Sequence, residues 1–168
     1  MKNKVKLKEI KAFWSDPNSI QNQGQNPQYA HLFPCFLKAR QAVSDIMKQE
    51  EELINSFKKT ESELIKKYAK GISVRPSYPP SPQNPNPELI FEHHFEPIEN
   101  YDLFTEEINK ASKVHQKEYA DFCNLEHEID VEYCPYDKYP RLDLFPLEKQ
   151  KAYQGFCIEP EQPKMKPV

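Results

Sequence analysis

The stretch PCFLKARQAVSDIMKQEEELINSFKKTESELIKKYAKG, residues 34–71, decides the fold, because its apolar residues recur at helical spacing. Most of them fall three, four or seven positions apart, which is a heptad-like stripe along one helix face. Pro34 suits a first helical turn, and Gly71 follows a lysine-rich end, as helix termini prefer. The pattern predicts one helix of about 35 residues, on the order of 50 Å long. Its stripe is formed by Phe36, Ala39, Val43, Ile46, Leu53, Phe57, Leu64 and Tyr68.

A second helical pattern begins near Asp102, a suitable N-cap with Glu106 and Glu107 in the turns that follow. It should end before Pro135, which gives a helix of roughly 28 residues. Each helix has a narrow apolar stripe and a charged back, so neither is stable alone. We expect the two to pair as an antiparallel hairpin; the alternative is that each lies separately in a groove of a partner. The second stripe is formed by Phe104, Ile108, Ala111, His115, Phe122, Leu125 and Ile129.

Outside the helices the chain is rich in proline and poor in glycine, with 16 Pro and 3 Gly. Six prolines fall within residues 76–87, which predicts extended chain. The whole connection, 72–101, far exceeds the roughly 2–8 residues that join neighbouring helices, so we expect it to lie across another surface. The predicted fold class is mainly α, with extended Pro- and aromatic-rich arms. The regions are a basic, then Gln/Asn-rich arm at 1–34, the hairpin with its Pro-rich excursion at 35–131, and a Pro/Tyr-rich arm at 132–168.

Aromatic residues in these arms are the candidate docking residues. Rings that enter pockets of a partner carry much of an interface's energy, and Pro-rich extended chain loses less entropy on binding. The alternative is that some of the rings fold back onto the hairpin. The predicted docking residues are Phe13, Trp14, Tyr29, Phe33, Tyr78, Phe91, Phe95, Tyr136, Tyr139, Phe145, Tyr153 and Phe156.

The four cysteines form two candidate disulfides. If the hairpin places residue 69 near residue 103, Cys35 falls within a turn of Cys134, and Cys123 and Cys157 are left as a second pair. An even number of cysteines in this placement suits an oxidising compartment such as the mitochondrial intermembrane space. Four buried free thiols in a reducing compartment are the alternative.

A zinc site is a minor alternative use of the same residues. Cys123 and His127 are spaced i, i+4, and Cys134 and Cys157 lie downstream, which makes four ligands of suitable chemistry. The compact paired-cysteine spacing that marks zinc sites is absent, however. We therefore predict no metal site.

No catalytic motif is present in the sequence. It contains no Gly-rich phosphate loop, no G-x-S-x-G nucleophile turn and no H-E-x-x-H helix. The cluster of Glu92, His93, His94 and Glu96 is interpreted as a solvated loop, because adjacent residues of an extended segment point to opposite sides. We predict that the protein is not an enzyme, has no catalytic residues and binds no cofactor.

Composition favours a chain that folds against other proteins. Hydrophobic residues make up 38%, charged residues 29% and aromatic residues 12%, and the mean hydropathy is −0.87. A net charge of −3 argues against nucleic acid as a partner. No apolar stretch approaches the roughly 20 residues of a spanning helix, so the chain should be peripheral to a membrane at most. The lysine-rich start, MKNKVKLKEIKAFW, is interpreted as a basic tail or short amphipathic helix; the alternative is a mitochondrial targeting signal, although such signals prefer Arg and Ser.

The function that these features predict is structural. We expect an accessory subunit that staples neighbouring proteins in a large complex, namely a mitochondrial respiratory-chain or ATP-synthase assembly. Its location would be the intermembrane-space side or the membrane periphery. The alternative is an inner scaffold protein of axonemal microtubules in a cilium.

Overall fold

The computed structural model describes residues 1–15, 30–135 and 151–159, and the chain divides into two compact units. Unit 1 comprises Met1–Glu51 and Ala120–Val168, and unit 2 comprises Glu52–Tyr119. About 57% of the chain is helical, so the prediction of a mainly α protein with two long helices is confirmed. In chain order the elements are β1 (Lys2–Lys6), α1 (Leu7–Trp14), α2 (Phe33–Tyr68), β2 (Ala69–Pro76), β3 (Leu89–Phe95), α3 (Ile98–Asn124) and β4 (Glu126–Asp130).

The two long helices lie close to their predicted positions. Helix α2 has 36 residues, and Pro34 is its second residue, as the missing N–H of proline allows. Helix α3 has 27 residues but begins directly after Pro97, so the prediction of Asp102 as its N-cap is wrong. It also ends well before Pro135, because the residues after Asn124 leave the helix to form strand β4.

Unit 1 contains a two-stranded antiparallel sheet made from distant parts of the chain. Strand β1 pairs with β4, so that Val5 lies opposite His127. The two inward side chains of β4, His127 and Ile129, are buried, and the alternate positions carry exposed charges. On that exposed side Lys2 forms an ion pair with Glu128 at 2.6 Å. The prediction of an extended arm is therefore corrected for residues 1–14, which form a strand and a helix.

Helix α1 closes one side of the core of unit 1. Its buried side chains are Leu7, Ile10 and Phe13, three positions apart, as expected for one helix face. The first turn is fixed by Glu9, whose carboxylate accepts a hydrogen bond from the Lys6 N–H at 2.7 Å. Other large core residues come from α2 and from the C-terminal part of the described chain, including Phe36, Val43, Ile46, Tyr153, Phe156 and Ile158.

The described C-terminal segment belongs to this core. Residues 153–158 are all buried or half-buried, and Tyr153 and Phe156 are 1% and 2% exposed. A backbone hydrogen bond from the Cys134 N–H to the Cys157 carbonyl, at 2.9 Å, joins the segment to the chain that follows β4. The prediction of an extended C-terminal arm is thus corrected for residues 151–159, because their apolar side chains fill the core.

Unit 2 is built around a β-hairpin between the two long helices. Strands β2 and β3 pair antiparallel. The six prolines of residues 76–87 lie at the end of β2 or in the loop after it, where no backbone N–H is needed for pairing between the strands. The loop closes on itself through backbone hydrogen bonds between Ser81 and Asn84, at 3.0 and 3.1 Å. The prediction of an extended connection over 72–101 is therefore corrected for 72–76 and 89–95, which pair with each other as strands, and for 98–101, which belong to α3.

The helical parts of unit 2 meet through aromatic rings. The Phe57 ring stacks on the His115 ring, with centroids 4.6 Å apart and planes at 15°. Tyr68 meets Phe104 edge-on at 6.2 Å. Helix α3 has no fully buried side chain along its whole described length, in contrast to the first part of α2. Within the residues that the structure describes, no helix is long and apolar enough to cross a membrane.

Candidate functional site

One face of the β2–β3 hairpin has no charged residue. The register places Ile72 opposite His93 and Val74 opposite Phe91, with the next pair at the loop end. Because alternate residues of a strand point to the same side, these pairs share one face. We call this surface the apolar ribbon face, which consists of Ile72, Val74, Pro76, Leu89, Phe91 and His93.

The large side chains of the apolar ribbon face are in contact with water. Ile72 is 59% exposed, Val74 49%, Leu89 59% and Phe91 64%. Covering a side chain of this size contributes about 1 kcal/mol when roughly half of it starts exposed. Scattered exposed apolar residues are ordinary, but a contiguous group with no charge among them is typical of an interaction site.

The charged residues of the hairpin lie away from this face. Arg75 and Glu92 are on the opposite side and form an ion pair, with Arg75 Nε 2.6 Å from the Glu92 carboxylate. Lys70 pairs with Glu96 beside the start of β2. The charges of the hairpin are therefore matched among themselves, so nothing charged opposes an apolar partner on the apolar ribbon face.

The predicted acidic and imidazole cluster is divided by the pleat of β3. His93 lies on the apolar ribbon face, whereas Glu92 and His94 point to the other side. The expectation that adjacent histidines point in opposite directions is confirmed by the register, but the segment is a strand and not a loop.

Among the predicted docking residues, those of the hairpin are the accessible ones. Phe91 is 64% and Tyr78 is 72% exposed. Phe95 is half-buried, since its ring meets those of Tyr101 and Phe104 at 6.0 and 4.6 Å. Sequence reasoning did not identify Ile72 and Val74 as accessible residues. The alternation of apolar and polar residues in GISVRP, residues 71–76, was the signal for a strand that exposes them on one face, but the prolines that follow suggested an unpaired extended segment instead.

The docking prediction is wrong for three residues in unit 1. Phe13, Tyr153 and Phe156 are fully buried within this chain, so they are not accessible to another protein. They match the alternative that some rings fold back, because the rings of Tyr153 and Phe156 both contact the ring of Phe13.

The remaining predicted docking residues divide into two groups. Trp14 and Phe33 are half-buried against the core of unit 1, and the Arg40 guanidinium lies 4.0 Å above the Trp14 ring. Tyr29, Tyr136, Tyr139 and Phe145 lie outside the described residues.

None of the four cysteines is in a disulfide in the structure, so neither candidate pair is bridged in it. Cys35, Cys134 and Cys157 are buried in the core of unit 1, and Cys123 is half-buried at its margin. Burial raises the pKa of the Cys157 thiol well above its ordinary value, and the neighbouring Cys35 and Cys134 raise it further. A thiol of raised pKa stays protonated at neutral pH and is a poor nucleophile.

The candidate zinc ligands Cys123 and His127 do not share a helix face in the structure. Cys123 lies in α3, but His127 is in strand β4 and faces Phe122, whose ring centroid is 5.2 Å away. The two residues are therefore not on one helix face, as the spacing suggested. In the described ranges, no three His, Cys, Asp or Glu side chains are grouped as a metal site.

Unit 1 also has an open groove of about 780 Å³. Lys38, Asp130, Glu132 and Glu159 give its wall both signs of charge. Two of its lining residues, Pro135 and Glu159, are the last described residues of their segments, so the groove has no defined boundary on those sides. It therefore identifies no ligand.

Comparison with known proteins gives no further guide to the site, since no family model, curated protein or solved structure matches this chain.

Proposed function

We propose that this chain is a non-catalytic structural subunit that binds another protein of a larger assembly through the apolar ribbon face. The observation that carries the proposal is the exposure of Ile72, Val74, Leu89 and Phe91 on a face with no charged residue. The occupant is a folded protein with an apolar surface, because the charges of the hairpin are already matched on its other side.

Docking would also stabilise the hairpin itself. A two-stranded ribbon is marginal in water unless one face is packed. In this chain the apolar face is the open one, and the opposite face carries Ser73, Arg75, Glu92 and His94. Covering the apolar ribbon face would therefore order the strands and bury the aliphatic side chains in one step.

We further propose that α2 and α3 pack as an antiparallel hairpin within unit 2 and hold the ribbon at one end. Three contacts support this arrangement: Phe57 with His115, Tyr68 with Phe104, and an ion pair of Lys67 with Glu107 at 2.9 Å. As the residue number rises in α2 it falls in α3, which is the order that antiparallel helices require.

The proposed setting is a mitochondrial respiratory-chain or ATP-synthase assembly, with this chain at its periphery. The aromatic, proline-rich segments, which suit a chain laid across neighbouring subunits, support it. A second candidate is a scaffold inside axonemal microtubules; the long helices suit it, and it requires none of the disulfides that the structure lacks.

The test is the size of the native particle that contains the chain. Tagged wild-type protein, expressed in its native source, should migrate in a density gradient with a particle far larger than the 19.8 kDa chain. The double variant Ile72→Lys, Val74→Lys should leave that particle, because two charges on the apolar ribbon face oppose its burial. Each single variant, Ile72→Lys and Val74→Lys, is compared with Ile90→Lys, which adds the same single charge; Ile90 is 40% exposed on the other side of the same hairpin and should stay bound.

The components of the particle decide between the two settings. Respiratory-chain or ATP-synthase subunits would support the first, and tubulin would support the second. A wild-type chain that migrates free of other proteins would overturn the proposed function.

A further inference from the structure

We propose that two copies of this chain pair through the outer edges of β3 to form a four-stranded antiparallel sheet, with the twofold axis at Phe91. The proposal concerns the edge of the hairpin, whereas the proposed function concerns its face. The two are therefore compatible and can fail independently.

The outer edge of β3 has a regular row of outward backbone groups. In an antiparallel ladder, residue pairs that exchange both hydrogen bonds alternate with pairs whose N–H and C=O groups point away from each other. The Ser77 N–H donates to the Glu88 carbonyl at 2.8 Å, and this bond closes the ladder beside the pair of Pro76 and Leu89. The outward groups of β3 consequently belong to Leu89, Phe91 and His93.

These outward groups have no strand beside them in the described part of the chain, where β2 and β3 form a sheet of two strands. Leu89 and Phe91, which carry two of these sets of outward groups, are 59% and 64% exposed as residues. The corresponding edge of β2 is a poorer acceptor of a strand, because Pro76 has no N–H to donate. The edge of β3 is therefore the one that we expect to be used.

A second copy matches this edge because the outward groups are symmetric about Phe91. A twofold axis there places Phe91 opposite Phe91 of the second copy, and Leu89 opposite its His93. Every outward N–H then has a carbonyl to meet, which is the isologous pairing that twofold symmetry requires. The three side chains also point to the same side, so the apolar ribbon faces of the two copies become one continuous surface.

The charges on the other face allow the same register. Ile90 falls opposite Glu92 of the second copy, and Glu92 is already held by Arg75. Glu88 falls opposite His94 of the second copy. No two like charges lie directly opposite each other in this register.

The pairing removes an unstable feature of each chain. An exposed strand edge promotes association, and natural proteins usually shield one with charges, proline or a covering element. Among the described residues, no further strand lies beside the outer edge of β3, and its outward positions Leu89, Phe91 and His93 include no proline, Lys, Arg, Asp or Glu. A four-stranded sheet also exceeds the roughly three strands that a ribbon needs for independent stability.

The first test is the mass of the purified full-length chain by light scattering after size-exclusion chromatography. Wild-type protein should have twice the 19.8 kDa mass of one chain. Phe91→Lys should be monomeric, because it places two lysines opposite each other at the axis, and we expect a rise in the dimer dissociation constant of at least about tenfold. Val74→Lys is the matched control: it adds the same charge to the same face on the other strand, and it should remain dimeric.

Cross-linking tests the register independently of the charge. With a mild disulfide oxidant, Phe91→Cys should form an intermolecular disulfide, because opposite residues across paired strands have Cα atoms about 5.5 Å apart. Val74→Cys should not form one, and wild-type protein controls for the native thiols. Circular dichroism would check that each variant is folded.

A monomeric wild-type chain at all concentrations would overturn the inference and leave the proposed docking of the apolar ribbon face standing. Equal dissociation by Phe91→Lys and Val74→Lys, or a disulfide in Val74→Cys alone, would also overturn it, since association would then use the face rather than the edge. A dimer that never enters a larger particle would support the inference and overturn the proposed function.

Discussion

The ring of Phe13 lies parallel to the ring of Phe156, with centroids 4.5 Å apart and planes at 4°. One ring belongs to α1 and the other to the last described segment, so the two ends of the described chain meet in unit 1. Phe36 and Tyr153 approach the same Phe13 ring at 5.3 and 5.9 Å. Phe13 is thus the side chain that joins α1, α2 and the C-terminal segment.

Replacing Phe13 with Ala should lower the free energy of unfolding of unit 1 by about 3–5 kcal/mol, because it leaves a cavity between three aromatic rings. The measurement is urea denaturation followed by fluorescence of Trp14, the one tryptophan of the chain, which packs against this core. Tyr78→Ala is the control, since Tyr78 is 72% exposed and its removal should change stability by less than about 0.5 kcal/mol. Equal effects of the two substitutions would contradict the central position of Phe13.

The ion pair of Lys11 with Glu50 should matter more than the surface pairs. Lys11 Nζ lies 2.8 Å from the Glu50 carboxylate, whose side chain is only 5% exposed. Lys11→Met should destabilise unit 1 by about 2–3 kcal/mol, because it removes a cation from a buried carboxylate, although the lysine itself is partly solvated. Lys2→Met, which removes the exposed partner of Glu128, is the matched control and should have little effect. Denaturation of both variants under the same conditions would reveal the difference.

Pairing of β1 with β4 should weaken in acid. Hydrogen bonding and charge from Lys2 hold the pKa of Glu128 below its ordinary value of 4.5, and the same contact raises the pKa of Lys2 above 10.5. The ion pair of Lys2 with Glu128 therefore stabilises the folded state at pH values between 4.5 and 10.5. Its contribution is lost in acid, as the pH falls from 4.5 through the lowered pKa of Glu128 and the carboxylate becomes protonated.

The check is to compare wild-type protein with Glu128→Gln at pH 7 and at pH 3. The stability difference between them should be present at pH 7, shrink at pH 3 and shrink again in high salt, which screens exposed charges. A difference that is unchanged at pH 3 would show that the carboxylate charge of Glu128 has no part in it.

The four thiols should react with iodoacetamide in a defined order. Cys123 is half-buried and should be modified first, whereas Cys157 should be modified last, because burial raises its pKa and blocks access. Peptide mapping by mass spectrometry after timed labelling gives the order. Denaturation without reductant should expose four reactive thiols; two protected pairs would instead support the disulfides that the sequence predicted, and with them an oxidising compartment.

The proposed helical hairpin can be tested through Phe57 and His115. A double-mutant cycle with Phe57→Ala and His115→Ala should give a coupling energy of about 0.5–1.5 kcal/mol, the range expected for stacked rings. Val114→Ala in place of His115→Ala is the control, because Val114 is 59% exposed and has no ring to stack on Phe57. Additive effects in the first cycle would argue against the antiparallel packing of α2 and α3.

The long helices were predictable because their signals are local. The stripe from Phe36 to Tyr68 and the terminal Pro34 and Gly71 lie within one stretch, and α2 begins and ends within three residues of those marks. The start of α3 was misplaced because two N-terminal signals competed. Pro97 is adjacent to the helix start, and it prevailed over the acidic residues after Asp102.

The strands were not predictable in the same way. In β1 the three lysines alternate with Asn3 and Val5 over only five residues, and its partner β4 follows only after more than a hundred intervening positions. The candidate site was found in part: Phe91 and Tyr78 were identified as accessible rings. Ile72, Val74 and Leu89 were missed, because their shared face exists only once β2 and β3 are in register.

By itself, the sequence determined the two long helices. Their backbone hydrogen bonds join residues four positions apart, and the apolar stripe repeats every three or four residues, so both depend on residues that are close together in the sequence. Only the tertiary structure decided which aromatic rings are buried and which remain open to another protein. The physical reason is that burial depends on what lies opposite a side chain, and for Phe13, Tyr153 and Phe156 that environment comes from distant parts of the chain.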